Sequence, residues 1–194
     1  MDGLETLTTR ASAMALTGPA PGDADLDRIL AAAARAPDHG KLRPWKFILV
    51  RGAARNRLGE IMADALTARD ADAPRQMVEA ERGKPLRAPL VVVVASTADP
   101  EHPKIPEIEQ VLSAGCAALS IMLAAHALGY GAMWKTGAAA YDGAVKSALG
   151  LAPQHHIVAF LYLGTRSGPA AEIRRPHHSQ FVEEWQQATM LAEA

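Results

Sequence analysis

Residues 112–128, LSAGCAALSIMLAAHAL, constrain this chain more than any other stretch. At helical spacing the segment is apolar almost all round, and such a helix has to be enclosed by other elements rather than laid on a surface. Gly129 supplies the usual helix stop. Alanine, glycine, serine and cysteine crowd one flank, which lets another backbone come close. A chain of 194 residues has little material to wrap a helix on every side. Part of that surface is therefore expected to meet a second copy; the alternative is a helix covered wholly from within. No apolar run approaches the roughly 20 residues of a membrane span, so no membrane partner is expected.

The remaining segments supply layers for that helix. Asp2 and Glu5 have capping-box spacing, which predicts a short helix to about Thr9. Asp23 is placed to cap a second helix, with Leu26, Ile29, Leu30, Ala33 and Ala34 on one face and Pro37 beyond its end. WKFILV reads as a strand whose Trp45, Phe47 and Leu49 alternate toward a core. It leads into a helix marked by Leu58, Ile61, Met62, Ala65 and Leu66. Residues 69–88 are charged, and read as a loop with a short solvent-facing helix, a candidate mobile cover, in which EAERGK is an exposed face. PLVVVVAS is a buried strand. YGAMW and HIVAFLYLG follow as strands separated by a helix through YDGAVKSAL, and FVEEWQQATML ends the chain as a weak helix. No internal repeat or linker divides the chain, so residues 1–194 read as one domain with a mixed α/β or α+β layer architecture.

Charge and cysteine usage narrow the function classes. The net charge of −1 gives no field to recruit nucleic acid or an anionic membrane. The acidic N-terminal MDGLETLTTR is unlike a signal peptide, and the expectation is a soluble cytoplasmic protein. One cysteine, Cys116, excludes an intrachain disulfide and reads as a buried filler. His155–His156 and His177–His178 are adjacent pairs without a second ligand set, so surface histidines are favoured and no metal is expected.

Three separated clusters share one chemistry. Arg10 and Ser12 follow the first helix; Arg35 and His39 lie in RAPDHGKLRPWKF beside Lys41 and Arg43; Trp134, Lys135 and Thr136 follow a strand. Arginine, lysine and hydroxyl donors together are what a phosphate monoester requires, and an aromatic ring suits a flat heterocycle. No glycine-rich phosphate loop is present, so side chains must hold any phosphate. His39 is open to a second reading as a helix-end cation. Arg166, Arg174 and Arg175 are either solvated or further phosphate anchors, with solvation ahead.

RASA, RAPDHGKLRPWKF, APLVVVVA, SAGCAALSIMLAAHALGYGAMWKTGA and IVAFLYLGT, taken in order, resemble the nitroreductase family of FMN-dependent oxidoreductases across residues 2–166. The resemblance implies an α+β nitroreductase-like fold, a central mixed sheet flanked by helices, and an intertwined homodimer with FMN at the subunit interface. By position it assigns Arg10, Ala11 and Ser12 to FMN phosphate and ribityl contacts, and Arg35 and His39 to flavin contacts. Trp134, Lys135 and Thr136 match strand-end FMN contacts, with Trp134 divided between flavin wall and strand core. Ala124, Ala125, His126, Ala127, Leu128 and Gly129 fall where a nicotinamide nucleotide is proposed to lie. The loop departs from the common A-P-S-x-x-N-x-Q-P-W pattern, because Asp38, Lys41 and Arg43 replace serine, asparagine and glutamine. The implied reaction is ping-pong: NAD(P)H reduces FMN by hydride transfer, and a nitroaromatic, quinone or related small acceptor takes the electrons. No side chain need act as a nucleophile. The alternatives are a flavin-binding carrier or regulator without turnover, or a variant with dehalogenase, enone-reductase or flavin-fragmenting chemistry.

Overall fold

The computed structural model describes residues 2–168 and 175–185. Helix α1 (Gly3–Thr9) carries the anticipated capping box, with Asp2 Oδ1 accepting from Glu5 N at 2.8 Å. After the two-residue strand β1 (Leu16–Thr17) comes α2 (Asp23–Ala33), where Gly22, not Asp23, is the N-cap. Asp23 instead sits in the first turn, where an acid complements the helix dipole, and it accepts from Arg51 at 3.0 Å. Strand β2 (Trp45–Arg51) turns its expected Trp45, Phe47 and Leu49 onto the core.

The segment after β2 differs most from its sequence reading. Helix α3 (Ala54–Arg69) is followed by α4 (Arg75–Gly83) and a 3-10 turn (Lys84–Arg87). α4 buries no side chain, yet it is packed closely on α3: a Cβ on Gly59 would stand 2.1 Å from the Arg82 carbonyl oxygen. The short solvent-facing helix expected in this segment is thus α4, the second arm of a helical hairpin.

That hairpin also sets strand direction. One helix between two strands returns the chain to a parallel start; the pair α3–α4 brings it back from the opposite end. Strand β3 (Leu90–Ser96) accordingly runs antiparallel to β2, with Trp45 opposite Ser96 and Arg51 opposite Leu90. Strand β5 (His156–Arg166) lies between β3 and β4 (Gly131–Lys135), giving the order β4–β5–β3–β2, and β1 pairs with its last two residues. Every pairing among the described residues is antiparallel, which corrects the expected mixed sheet.

Both faces of the sheet are covered, so β3 is buried along its whole length and reads as an unbroken apolar run. Val92, Val94 and Leu161 meet α2 and helix α5 (Glu107–Ala127), through Ile29, Ile121 and Met122 among others. Val91, Val93 and Phe160 meet α3 and the short helix α6 (Gly143–Ala148) through Leu58, Met62 and Val145.

α5 spans 21 residues, starting five before the apolar run seen in the sequence, and is long and apolar enough by composition to cross a membrane. Its packing is that of a core helix: Ala114, Ala117, Ala118, Ile121 and Ala125 are fully enclosed. The opposite face is bare. Ile108 is 61% exposed and Leu112 60%, with Leu119 and Cys116 continuing the same stripe. Cys116 is therefore not the buried filler expected, because the sheet and α2 cover only one side of the helix. The predicted terminal helix at 181–191 falls mostly outside the described residues; within them Phe181 closes a 3-10 turn (His178–Phe181).

Two substitutions test this architecture. Gly59→Ala forces a methyl group into the Arg82 backbone and should destabilise the protein by about 1–3 kcal/mol; an unchanged urea midpoint would contradict the α3–α4 packing. Asp142 caps α6 through the N–H groups of Ala144 (2.9 Å) and Val145 (3.2 Å) and pairs with Arg69. Burial pushes its carboxyl up, but the Val145 N–H, Arg69 and the Ala144 N–H outweigh that and hold it below the ordinary value. A depressed carboxylate stabilises above its unfolded value and loses that contribution as pH falls through its folded one. Asp142→Ala should cost about 1 kcal/mol near neutrality, and the gap in thermal denaturation should narrow below about pH 4.

Candidate functional site

The segment after α1 runs extended, tied to β4 by Ala13 N donating to Ala132 O at 2.9 Å. Ala11 and Ala13 are buried, so Arg10 and Ser12 emerge between them on the less covered side. Two further guanidiniums brace this segment: Arg166 donates to Ala11 O at 2.8 Å, and Arg175 donates to Arg10 O. Arg166 is therefore part of the framework rather than simply solvated, while Arg174 lies outside the described residues. Burial, then Arg175, then Arg166 push the Arg10 guanidinium below its ordinary value. One Arg10 nitrogen, Nη1, is buried with no hydrogen-bond partner among the described residues. Ser12, Met14, Arg166, Ser167 and Gly168 line a cavity of about 160 Å³ alongside.

Unpaired buried donors are rare because the lost hydration is not repaid. A donor left open close to two other guanidiniums, one of which lines a cavity with Ser12, has the makings of an anion seat. His126 joins this cluster from the last turn of α5, with Nε2 2.9 Å from Thr9 Oγ1. Burial, followed by Arg166 and Arg10, lowers its pKa against an opposing pull from Glu5. Of the neighbouring residues in 124–129, Ala125 is enclosed in the core, Ala124 and Leu128 are packed against it, and Ala127 and Gly129 are exposed.

At the other end of β4, Lys135 and Thr136 open onto a second cavity of about 240 Å³, shared with Met62, Lys84, Arg87 and Tyr162. Trp134 points to the opposite face, partly buried against the α5 core. Lys84 is paired with Glu81. Burial, with Glu81 adding and Arg87 opposing, pushes the Tyr162 hydroxyl up to about 12, so it remains a donor at neutral pH. Lys84, Arg87 and Tyr162 were not singled out in the sequence. The signal that would have found the first two is their position at the mouth of a wholly buried strand; Tyr162 is indistinguishable there from core.

The cationic loop is held apart from both cavities. Arg35, Lys41 and Arg43 are exposed. Asp38 accepts from the backbone N–H groups of Leu42 (3.2 Å) and Arg43 (2.8 Å), which gives the aspartate a local structural role. Lys41 and Arg43 take positive φ values of 59° and 50°, a costly conformation for non-glycine residues. Gly40, at φ 71°, passes so close to Ile105 that a Cβ would stand 2.4 Å from its Cδ1. Ser113 donates to Pro37 O at 2.6 Å, and His39 Nδ1 lies 2.6 Å from Glu109 Oε2. The loop is thus pinned to the N-terminal part of α5, whereas the Arg10 cluster touches its last turn. Glu109 and His126 are separated by about 25 Å of helix, at 1.5 Å per residue. Within one chain Arg35 and His39 do not meet Arg10 and Ser12.

Comparison with known proteins places this arrangement. The Nitroreductase family model matches residues 7–165. The chain is 39% identical over 183 residues to "Putative NAD(P)H nitroreductase YdjA" of Escherichia coli K12, covering 94% of this chain and 98% of that protein. A nitroreductase-like family protein from Bacillus cereus superposes with a TM-score of 0.80 at 23% identity, covering 96% of this chain and 97% of the other. A nitroreductase with bound FMN from Bacteroides fragilis gives 0.71 at 22% identity, with coverage of 96% and 100%. These structures share the α+β fold, and the family match spans most of its elements. The chain belongs to the Nitroreductase family.

Proposed function

We propose that this chain is an FMN-dependent oxidoreductase of the cytoplasm that acts as a homodimer, with NAD(P)H as reductant and a nitroaromatic, quinone or related small molecule as acceptor. The observation that carries this reading is the buried, unpartnered Arg10 nitrogen close to Arg166 and Arg175, with Arg166 and Ser12 lining the neighbouring cavity. A phosphate monoester brings close to two negative charges and three acceptor oxygens, which suit a site built of guanidiniums and a hydroxyl. Arg10 and Ser12 would hold that phosphate beside the Ala11 backbone. Lys135 and Thr136, with Lys84 and Arg87, would flank the ring system in the second cavity, and Trp134 lies at the same strand end.

When bound, FMN supplies the two-electron chemistry, receiving hydride from NAD(P)H and releasing electrons to the acceptor. The chain's own contribution is binding, orientation and charge. Arg87 and Lys135, beside a Lys84 already paired with Glu81, would favour a negatively charged reduced ring held in that cavity. The Tyr162 hydroxyl adds a donor that keeps its proton. Residues Ala124–Gly129, at the end of α5, are where nicotinamide nucleotide would approach.

The bare stripe of Ile108, Leu112, Cys116 and Leu119 supports the dimer reading. A contiguous apolar strip of this kind marks an interaction surface, and in a two-fold dimer the same patch faces itself. If two α5 helices pack antiparallel about an axis near Cys116, the Glu109 end of one lies beside the His126 end of the other. Arg35 and His39 of one copy then approach Arg10 and Ser12 of its partner. Convergence of the sequence-predicted residues depends on that second copy.

The purified protein should be yellow or take up added FMN. NADH or NADPH should bleach it without oxygen, and a nitroaromatic should restore the colour. Colourless protein that ignores FMN would overturn the reading, and bleaching without recovery would favour a carrier. Arg10→Ala should weaken FMN binding between about tenfold and a hundredfold, the worth of one hydrogen bond to a charged group; unaltered affinity in a fluorescence titration removes Arg10 from the site. Leu112→Arg should convert the dimer to monomer in sedimentation and lower FMN retention with it. A dimer that persists would place the interface elsewhere.

A further inference from the structure

We infer that Glu109 is a positioning residue: it grips the His39 imidazole through Nδ1 and leaves Nε2 as the nitrogen presented across the subunit boundary. This rests on the FMN-dimer reading above and goes beyond it by assigning a role to a carboxylate outside both cavities. The contact is short, 2.6 Å from His39 Nδ1 to Glu109 Oε2. An ionised carboxylate can only accept, so Nδ1 carries the hydrogen and the ring tautomer is fixed. A carboxylate placed behind a histidine is a general device for setting ring orientation.

Several features argue that direction, rather than stability, is what this pair provides. The side chains of His39 and Glu109 are 63% and 44% exposed, and pairs so open to water add little to folding. The loop carrying His39 is nevertheless fixed at three other points: Ser113 on the Pro37 carbonyl, Asp38 on its own backbone, and Ile105 behind Gly40. Its positive φ angles at Lys41 and Arg43 persist under that restraint. Glu107, on the same first turn of α5, is occupied by His156 at 2.6 Å, so the two acids serve different histidines. Glu109 precedes Leu112 by three residues and Cys116 by seven on α5, so the pair stands at the margin of the stripe that the second copy would cover.

The test uses the full-length dimer, FMN fluorescence titration and the ring 15N shifts of His39. Glu109→Ala should weaken FMN binding about tenfold and give mixed His39 tautomers. Glu109→Gln, whose Oε1 can accept the same bond, should stay within about threefold of the parent and keep Nδ1 protonated. His39→Ala alone should weaken binding to a similar degree, and adding Glu109→Ala to it should change nothing more. Equal losses from Glu109→Ala with and without His39 would mean a purely structural effect and overturn the inference, as would unchanged FMN affinity in Glu109→Ala. Parent protein that takes up no FMN would bring down the functional reading itself, and this assignment with it. If the parent binds FMN and the variants break the pattern, only the role of Glu109 falls.

Discussion

A helix that one chain can cover on one side only is the constraint from which the rest of this molecule follows. α5 packs Ala114, Ala117, Ala118, Ile121 and Ala125 against sheet and α2, and leaves Ile108, Leu112 and Leu119 in water. Apolar side chains gain on the order of 25 cal/mol per Å² when removed from water, so the bare stripe is a standing source of association energy. The same helix separates the two charged ends of the molecule. The His39 loop is fastened to its first turns and the Arg10 cluster to its last. Burial of α5 and the spacing of the two charged clusters are thus one problem rather than two.

The Arg10 cluster shows the opposite kind of frustration. The guanidiniums of Arg166 and Arg175 are held close to that of Arg10, and together with burial they make its ionisation less favourable. Arg166 and Arg175 are tied to backbone carbonyls, and the repulsion is accepted at the one residue whose Nη1 has no partner among the described residues. Such an arrangement is poorly suited to stability and well suited to a ligand of opposite charge, since binding would relieve both the repulsion and the unmet donor.

Much of the fold was legible because local rules agreed with the tertiary outcome. The Asp2–Glu5 capping box, the alternation of Trp45, Phe47 and Leu49, and the unbroken run of β3 all appear as read. What failed involved partners distant in sequence. Nothing local to EAERGK reveals that the Arg82 carbonyl rests on Gly59, so the sequence does not show the hairpin that makes the sheet antiparallel. Cys116 looks like core because its neighbours are apolar, and only the placement of the sheet shows which flank is bare. Of the candidates chosen from their chemistry, Ser12, Lys135 and Thr136 line the two cavities and Arg10 keeps an unpartnered nitrogen. Lys84 and Arg87 carry only the weak signal of standing just before a buried strand, and Tyr162 carries none, since their meeting depends on the turn after α4 docking over β5.

The central place of β5 has a consequence for how the chain assembles. β3, with four consecutive valines, can pair early with β2, but its other edge waits for a strand that begins only at His156. Until then a ribosome-bound chain presents an uncharged, β-branched edge of the kind that templates intermolecular ladders. The long-range pairing that closes it carries the loop-closure penalty of distant contacts. Docking of β5 is thus the step that removes this edge, by pairing Leu90 through Ser96 with residues sixty or more positions further along the chain.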